Sequence, residues 1–406
     1  MPAEWEPQSQ VQLTWPHAAT DWAPMLPDIT AVYCEMAREI LKREALLIVA
    51  PEGAAQSISR SLLAGQGAAQ PVFNYQLSII DSNDTWARDH GFITIEEPSS
   101  PTHHPSSITY QTSDLRPQTS DLVLLDFCFN GWGEKFEAEL DNRISRQIYD
   151  RGLVKGRYED HLDFVLEGGS IESDGQGTIF TTTSCLLAPH RNQPLTKEQI
   201  EERLKEYLGA ERVLWIDHGY LAGDDTDGHI DTLVRICPND TLLYIGCDDP
   251  ADEHYDALLL MEQQLRSFRT LDGRPYRLLR LPLPHPIYEA SVVSGFPADK
   301  SVPPSMQSVV SGFPADKSVP PSMQSVVSGF PADIIRLPAT YANFLVINGA
   351  VLVPTYAQPD LDAEAMRIIA QAFPGRDIIG IDCRSVIRQH GSLHCCTMQF
   401  PEGVIA

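Results

Sequence analysis

The sequence predicts an α/β fold, on three observations. Segments of helical period and short apolar runs of strand length interleave from one end of the chain to the other. Hydrophobic residues fill 43% of the 406 positions, enough for a sizeable buried core. Neither GxxxxGK[ST] nor GxGxxG occurs, so the nucleotide-binding version of this architecture is unsupported.

The elements follow in order. Ile29, Val32, Met36 and Ile40 recur on one face of a helix opening near Asp28, and Leu46-Leu47-Ile48-Val49 reads as a buried strand behind it. Short apolar runs predict strands near 72–76, 92–95, 122–126, 164–166 and 178–181. A helix is expected at about 134–149. Thr196, with Gln199 three residues on, forms a capping box for a helix from about Lys197 to Leu208. The strand Val213-Leu214-Trp215-Ile216 follows it. Strands near 242–246, 344–348 and 351–353 and helices near 252–268 and 361–372 complete the pattern.

Two segments read as insertions. Residues 98–121 are rich in Pro, Ser and Thr, with Gln-Thr-Ser-Asp-Leu at 111–115 and again at 118–122. The block SVVSGFPADKSVPPSMQ at 291–307 is repeated unchanged at 308–324, and a partial copy closes it at 325–333. Three prolines per unit and little helical period argue against a solenoid, whose repeats each form a packed unit of about 20 or more residues. Exact identity indicates tandem duplication of the sequence, and 291–333 is read as an exposed, mobile loop without a catalytic role.

With 55 acidic and 30 basic residues, the net charge of −25 repels nucleic acid and anionic lipid and attracts cations. It is equally compatible with plain solubility. The start has neither a basic flank nor an apolar run, and nothing approaches the length of a membrane span, so a cytoplasmic protein is expected. The eight cysteines are scattered without a CxxC pair, which disfavours a disulfide framework and a zinc site.

Four polar constellations carry chemistry. Asp84-Thr85-Trp86-Ala87-Arg88-Asp89 precedes a strand; alone it reads as a solvated or capping loop. Glu167-Gly168-Gly169-Ser170 follows an apolar run, and its glycines either form a turn or permit a ligand to approach the backbone. Gly223-Asp224-Asp225-Thr226-Asp227-Gly228-His229-Ile230-Asp231 sets four acids around one histidine. If 229–231 is extended, His229 and Asp231 point to the same side, and a carboxylate beside a histidine suits acid–base work. The calcium-loop spacing is not met. Gly391-Ser392-Leu393-His394-Cys395-Cys396-Thr397 offers a thiol which, with His229 elsewhere in the chain, forms a candidate Cys–His nucleophilic site.

At these residues the sequence resembles the agmatine deiminase family, a relative of the bacterial-type peptidylarginine deiminases. The likeness runs nearly end to end: MPAEWEP, DTWARD at 84–89, EGGSIESDGQGT at 167–178, LTKEQIEERLKEYLG at 195–209, DDTDGHID at 224–231, LPATYANF at 337–344 and GSLHCCTMQFP at 391–401. The resemblance implies a pentein fold, five pseudo-symmetric ββαβ units in a closed α/β propeller, as a single domain over 1–406. It implies Cys395, not Cys396, as nucleophile and His229 as general acid/base. Asp89 and Asp231 match carboxylates that grip a guanidinium, Trp86 a pocket wall, Glu167 and Asp225 supporting acids, and Asn343 a polar lining residue. The implied partner is a small cationic guanidinium substrate, with no metal or organic cofactor, no nucleic acid, no membrane, and a homodimer as the assembly family members often form. The chain departs from the family where GGGNIHC is common (here Gln389 to Cys395), at Asp227 where Asn is frequent, and at Glu172-Ser173.

Several alternatives stay open. Peptidyl or free arginine could replace agmatine, the latter requiring a cation for its carboxylate; Arg88, Arg384 and Arg388 are candidates. A non-catalytic polyamine- or protein-binding relative is an alternative of another class. A metal-dependent guanidine hydrolase is a third class, and its aspartate-rich motifs are not seen.

Overall fold

The computed structural model describes residues 1–63, 74–98, 120–290 and 334–405. Its strands and helices alternate because each parallel strand pair needs a crossover, and a helix supplies it. The first unit runs β1 (Gln8–Thr14), α1 (Leu26–Leu41), β2 (Ala45–Ala50), α2 (Ala55–Leu63) and β3 (Tyr75–Ile79), with the three strands parallel. Helix α1 buries the predicted stripe of Ile29, Val32, Met36 and Ile40 against the fully buried β2.

Four further units repeat one order, an antiparallel pair, then helix, then a parallel third strand. The second has the single turn α3 (Ala87–His90) before β4 (Ile93–Pro98), then β5 (Ser120–Cys128), α4 (Gly131–Glu134), α5 (Ile144–Asp150) and β6 (Arg157–Val165). The third has β7 (Ile171–Ser173), β8 (Thr178–Thr182), α6 (Thr183–Leu186), α7 (Lys197–Leu208) and β9 (Arg212–Ile216). The fourth has β10 (Val234–Cys237), β11 (Thr241–Gly246), α8 (Tyr255–Ser267) and β12 (Arg277–Pro282). After the hairpin of β13 (Tyr288–Ala290) and β14 (Ile334–Arg336), the fifth has β15 (Leu345–Ile347), β16 (Ala350–Thr355), α9 (Pro359–Ala372) and β17 (Asp377–Asp382). Finally β18 (Thr397–Pro401) returns to pair antiparallel with β1, which gives the first unit the missing partner and makes five ββαβ units among the described residues.

Local chemistry accounts for the elements. Helix α7 begins on the predicted capping box, with Thr196 and Gln199 bonded reciprocally, and ends on Gly209 at φ +64; such a cap contributes about 1 kcal/mol. Of the predicted 134–149 helix only the 3-10 turn Asp141–Arg143 and α5 form, because Glu134, with Trp132 and Gly133 ahead of it, takes left-handed angles that no helix continues through. No helix among the described residues is long and apolar enough to cross a membrane.

Both predicted insertions, 98–121 and 291–333, lie outside the described residues except at their edges. Their flanks are informative. Pro98 pairs with Ser120 across β4–β5, and Ala290 with Ile334 across β13–β14, so each segment leaves and re-enters the fold at adjacent points. Closing a loop between such points depends weakly on its length; even halving it changes the cost by about 0.6 kcal/mol. Deleting residues 308–324 is therefore expected to leave turnover within about twofold of the parent. A collapse in soluble yield or activity on deletion would show that the repeats support the fold.

Candidate active site

Each functional side chain sits on a short turn between sheets. Asp84 accepts from the Trp22 and Trp86 indoles (3.0 and 2.9 Å) and the Thr85 amide (2.8 Å), which sets the Trp86 ring. Burial pushes this carboxyl up to about 6. The turn α3 that follows carries Asp89 inward. Its Oδ1 accepts from the Gly169 amide and its Oδ2 from the Trp132 indole, each at 3.0 Å. Burial, then the neighbouring Asp231 and Glu167, push Asp89 well above the usual carboxylate range.

Glu167 ends an extended stretch, and Gly168–Ser170 form a 3-10 turn. Of the two sequence readings, the turn is the one seen, and close packing requires the glycines in it. A Cβ on Gly168 would overlap the Arg88 carbonyl. One on Gly169 would stand 2.5 Å from His229 Nδ1, 2.9 Å from Asp89 Oδ1 and 3.1 Å from Asp231 Oδ2. Gly169 therefore marks the point where three of the four predicted catalytic side chains converge. Glu167 lies against the buried Arg191 guanidinium at 2.8 Å, which opposes but does not overcome the upward push of burial on its acid.

In the acidic loop, Asp224 accepts from Thr226 N (3.1 Å), Thr226 Oγ1 (2.6 Å) and Gly228 N (2.7 Å) and so shapes the turn. Asp227, at φ +69, pairs with Arg191 and Lys135 at 3.0 and 2.8 Å. The condition of an extended 229–231 is not met: Ile230–Thr232 is a 3-10 turn, and His229 and Asp231 come to one point by curling, not by strand alternation. His229 is fully buried, with Nδ1 3.8 Å from Asp89 Oδ1 and neither ring nitrogen hydrogen-bonded. Burial lowers it to about 4, so it is a neutral imidazole near pH 7.

Cys395 lies on the turn before β18, its Sγ 3.7 Å from Asp231 Oδ2 and 3.4 Å from Asn343 Oδ1. Asn343 Oδ1 also accepts from the His394 and Cys395 amides, at 3.1 and 3.3 Å, and so holds that turn. Burial, with Asp231 and Asp89 beside it, pushes the Cys395 thiol well above its ordinary value. Gly391 presses on the Trp86 ring where a Cβ would overlap it, joining the first constellation to the last. Cys396 faces the core beside Tyr33, its thiol raised to about 12 by burial.

Thus Cys395, His229, Asp89, Asp231, Asn343, Glu167 and Trp86 gather around one site. Asp225 lies on the same acidic loop, with His390, Lys135 and Asp227 as its neighbours. Reasoning from sequence missed three participants: Trp132, which orients Asp89; Arg191, which sits between Glu167 and Asp227; and Glu4, which reaches His394. Glu4 lies in MPAEWEP, a motif noted without a role; Trp132 and Arg191 carry no local signal. Two acid–histidine groupings have ligand spacing for a metal, Glu167–Cys185–His229 and Glu4–Glu172–His394. Each already contains a carboxylate paired with an arginine, Arg191 in the first and Arg235 in the second.

Buried polar atoms without partners collect here: both His229 nitrogens, Asp231 Oδ1 and Glu167 Oε2. Buried polar groups are ordinarily hydrogen-bonded, so such a set is complementary to a polar ligand rich in donors. A neutral imidazole, a thiol and facing carboxylates can bind a planar cation and perform nucleophilic and acid–base chemistry on it.

Over its whole length the chain is similar to known proteins. An agmatine deiminase of Pseudomonas putida is 30% identical, over 100% of this chain and 96% of its own. A crystal structure of the C. jejuni agmatine deiminase, a cysteine-to-serine variant with substrate bound, is 32% identical with a TM-score of 0.75, covering 99% of this chain and 96% of that one. A Porphyromonas gingivalis protein provisionally named an arginine deiminase is 42% identical with a TM-score of 0.75, over 100% and 99% of the two chains. Residues 1–401 match the model of the Porphyromonas-type peptidyl-arginine deiminases, and the chain belongs to that family.

Proposed function

We propose that this chain is an agmatine deiminase, converting agmatine to N-carbamoylputrescine and ammonia within a single domain. The observation that carries the reading is the set of partnerless buried polar atoms on His229 and Asp231 next to the Cys395 thiol. A guanidinium entering between Asp89 and Asp231 supplies the missing donors, and carboxylates match its fork of N–H groups. Its charge offsets the two acids that hold the thiol protonated, which favours thiolate when substrate is present.

Cys395 then attacks the guanidinium carbon. The thiol proton passes to His229 and on to the departing nitrogen, which leaves as ammonia with a Cys395 S-alkylthiouronium behind. His229 next takes a proton from water, hydroxide adds to the same carbon, and the C–S bond breaks to release the ureido product and the thiol. Trp86 walls the pocket, and Glu167 and Asp225 support it electrostatically. Five ββαβ units joined end to start by β1–β18 are consistent with closure into a pentein propeller, and the buried polar row Gln8, Gln10 and Gln12 on β1 suits a strand lining its axis.

The substrate tail is argued from the three arginines that a free-arginine enzyme could use. Arg88 is paired with Glu4 at 3.1 Å, Arg384 with Asp382 at 2.6 Å and Arg388 with Glu289 at 2.5 Å. Committed cations are poor carboxylate receptors, which favours agmatine, whose tail ends in an amine. Ammonia release from agmatine, free arginine and a blocked arginyl peptide, each with and without chelator, tests the reading. Chelator-resistant turnover of agmatine above the other two is expected. Preference for arginine or the peptide would replace the substrate, and release from none would refute catalysis.

A further inference from the structure

We propose that Glu4 and His394 are positioning residues for this reaction: Glu4, ahead of β1, fixes His394, and His394 fixes the Asp231 carboxylate that receives the guanidinium. The inference rests on the deimination reading above and adds two residues to it.

His394 is fully buried and lies between two acids. Its Nδ1 is 2.7 Å from Asp231 Oδ2 and its Nε2 is 2.6 Å from Glu4 Oε1. Each ring nitrogen thus has a carboxylate oxygen within hydrogen-bond distance, and the two contacts together fix the plane of the ring. Glu4 is itself anchored, with Oε2 2.6 Å from Arg235 Nη2 and Oε1 3.1 Å from Arg88 Nη1. Arg235 Nε meets Glu172 Oε1 at 2.5 Å. Three acids (Glu4, Glu172, Asp231) and two guanidinium groups (Arg235, Arg88) thus surround the His394 ring in one buried, interlocked assembly.

The consequence for the site is directional. With Oδ2, the oxygen nearest Cys395, held by His394, Asp231 presents Oδ1, which is buried and without a partner. His394 also precedes the nucleophile, and its amide is held by Asn343. One ring therefore ties the nucleophile's backbone to the carboxylate that aims the substrate. Burial alone would raise Asp231, yet the His394 hydrogen bond and charge bring it below the usual range. Glu4 is held well below it too: His394, Arg235 and Arg88 outweigh burial.

The test compares wild type, Glu4→Asp, Glu4→Gln and His394→Asn by steady-state kinetics on agmatine. In Glu4→Gln, KM is expected to rise about 10-fold or more while kcat falls less, with partial recovery in Glu4→Asp. A purely structural role would lower the amount of active enzyme and leave KM unchanged, and that result overturns the proposal. His394→Asn should raise KM in the same sense, and an unchanged KM in it overturns the proposal even if Glu4→Gln does not fold. A wild-type enzyme inactive on every guanidinium would sink the deimination reading, whereas an active wild type with unchanged KM in the variants sinks the relay alone.

Discussion

Cys395→Ala is expected to lower kcat/KM for agmatine by about 10⁴-fold or more, while Cys396→Ala retains most of the activity. The two thiols are adjacent in sequence and opposite in surroundings. Cys395 touches Asp231 and Asn343 within the site, whereas Cys396 is packed in the apolar core near Tyr33. Removing the sulfur at 395 abolishes the covalent route. Removing it at 396 takes away one buried atom from a well-packed region and costs about 1 kcal/mol of stability. Kinetics and thermal melts of both variants check this. Equal loss in the two, or loss in Cys396→Ala alone, would move the nucleophile.

Gly169→Ala is expected to reduce kcat/KM by about 100-fold or more while the protein still folds. Gly169 is absent from the left-handed backbone positions, so alanine faces no backbone strain there. The added methyl instead meets His229, Asp89 and Asp231 together, at 2.5, 2.9 and 3.1 Å. Each must move, and displacement by a fraction of an ångström to one ångström misaligns base, nucleophile and cation grip at once. Circular dichroism and kinetics of this single variant separate folding from catalysis. Near-parental kinetics would show that the three groups do not act from the positions seen here.

Where one side chain or one period decides the outcome, the sequence is legible. Helix α7 was readable from Thr196 and Gln199, and α1 from its apolar stripe, because caps and amphipathic faces are local. Strands such as β7 (three residues) and the parallel partners β12 and β17, with few or irregular buried positions, left weak signals. The site residues on motif turns could be named, since turns with glycines and acids stand out, although whether 229–231 runs extended or curls was not legible. Arg191, Trp132 and Glu4 could not be placed. Their roles come from partners tens to hundreds of residues away, as with Glu4 and His394, separated by 390 positions.

That separation bears on how the activity comes into being. The pairing of β1 with β18 joins strands from the two ends of the chain. The nucleophile sits just before β18 and Glu4 just before β1, so both stand at this seam. A molecule with the seam open does not hold the thiol, Asp231 and His394 in the arrangement described. Activity therefore requires both ends of the chain to be in place, and loss of the join removes it even where the other sheets persist.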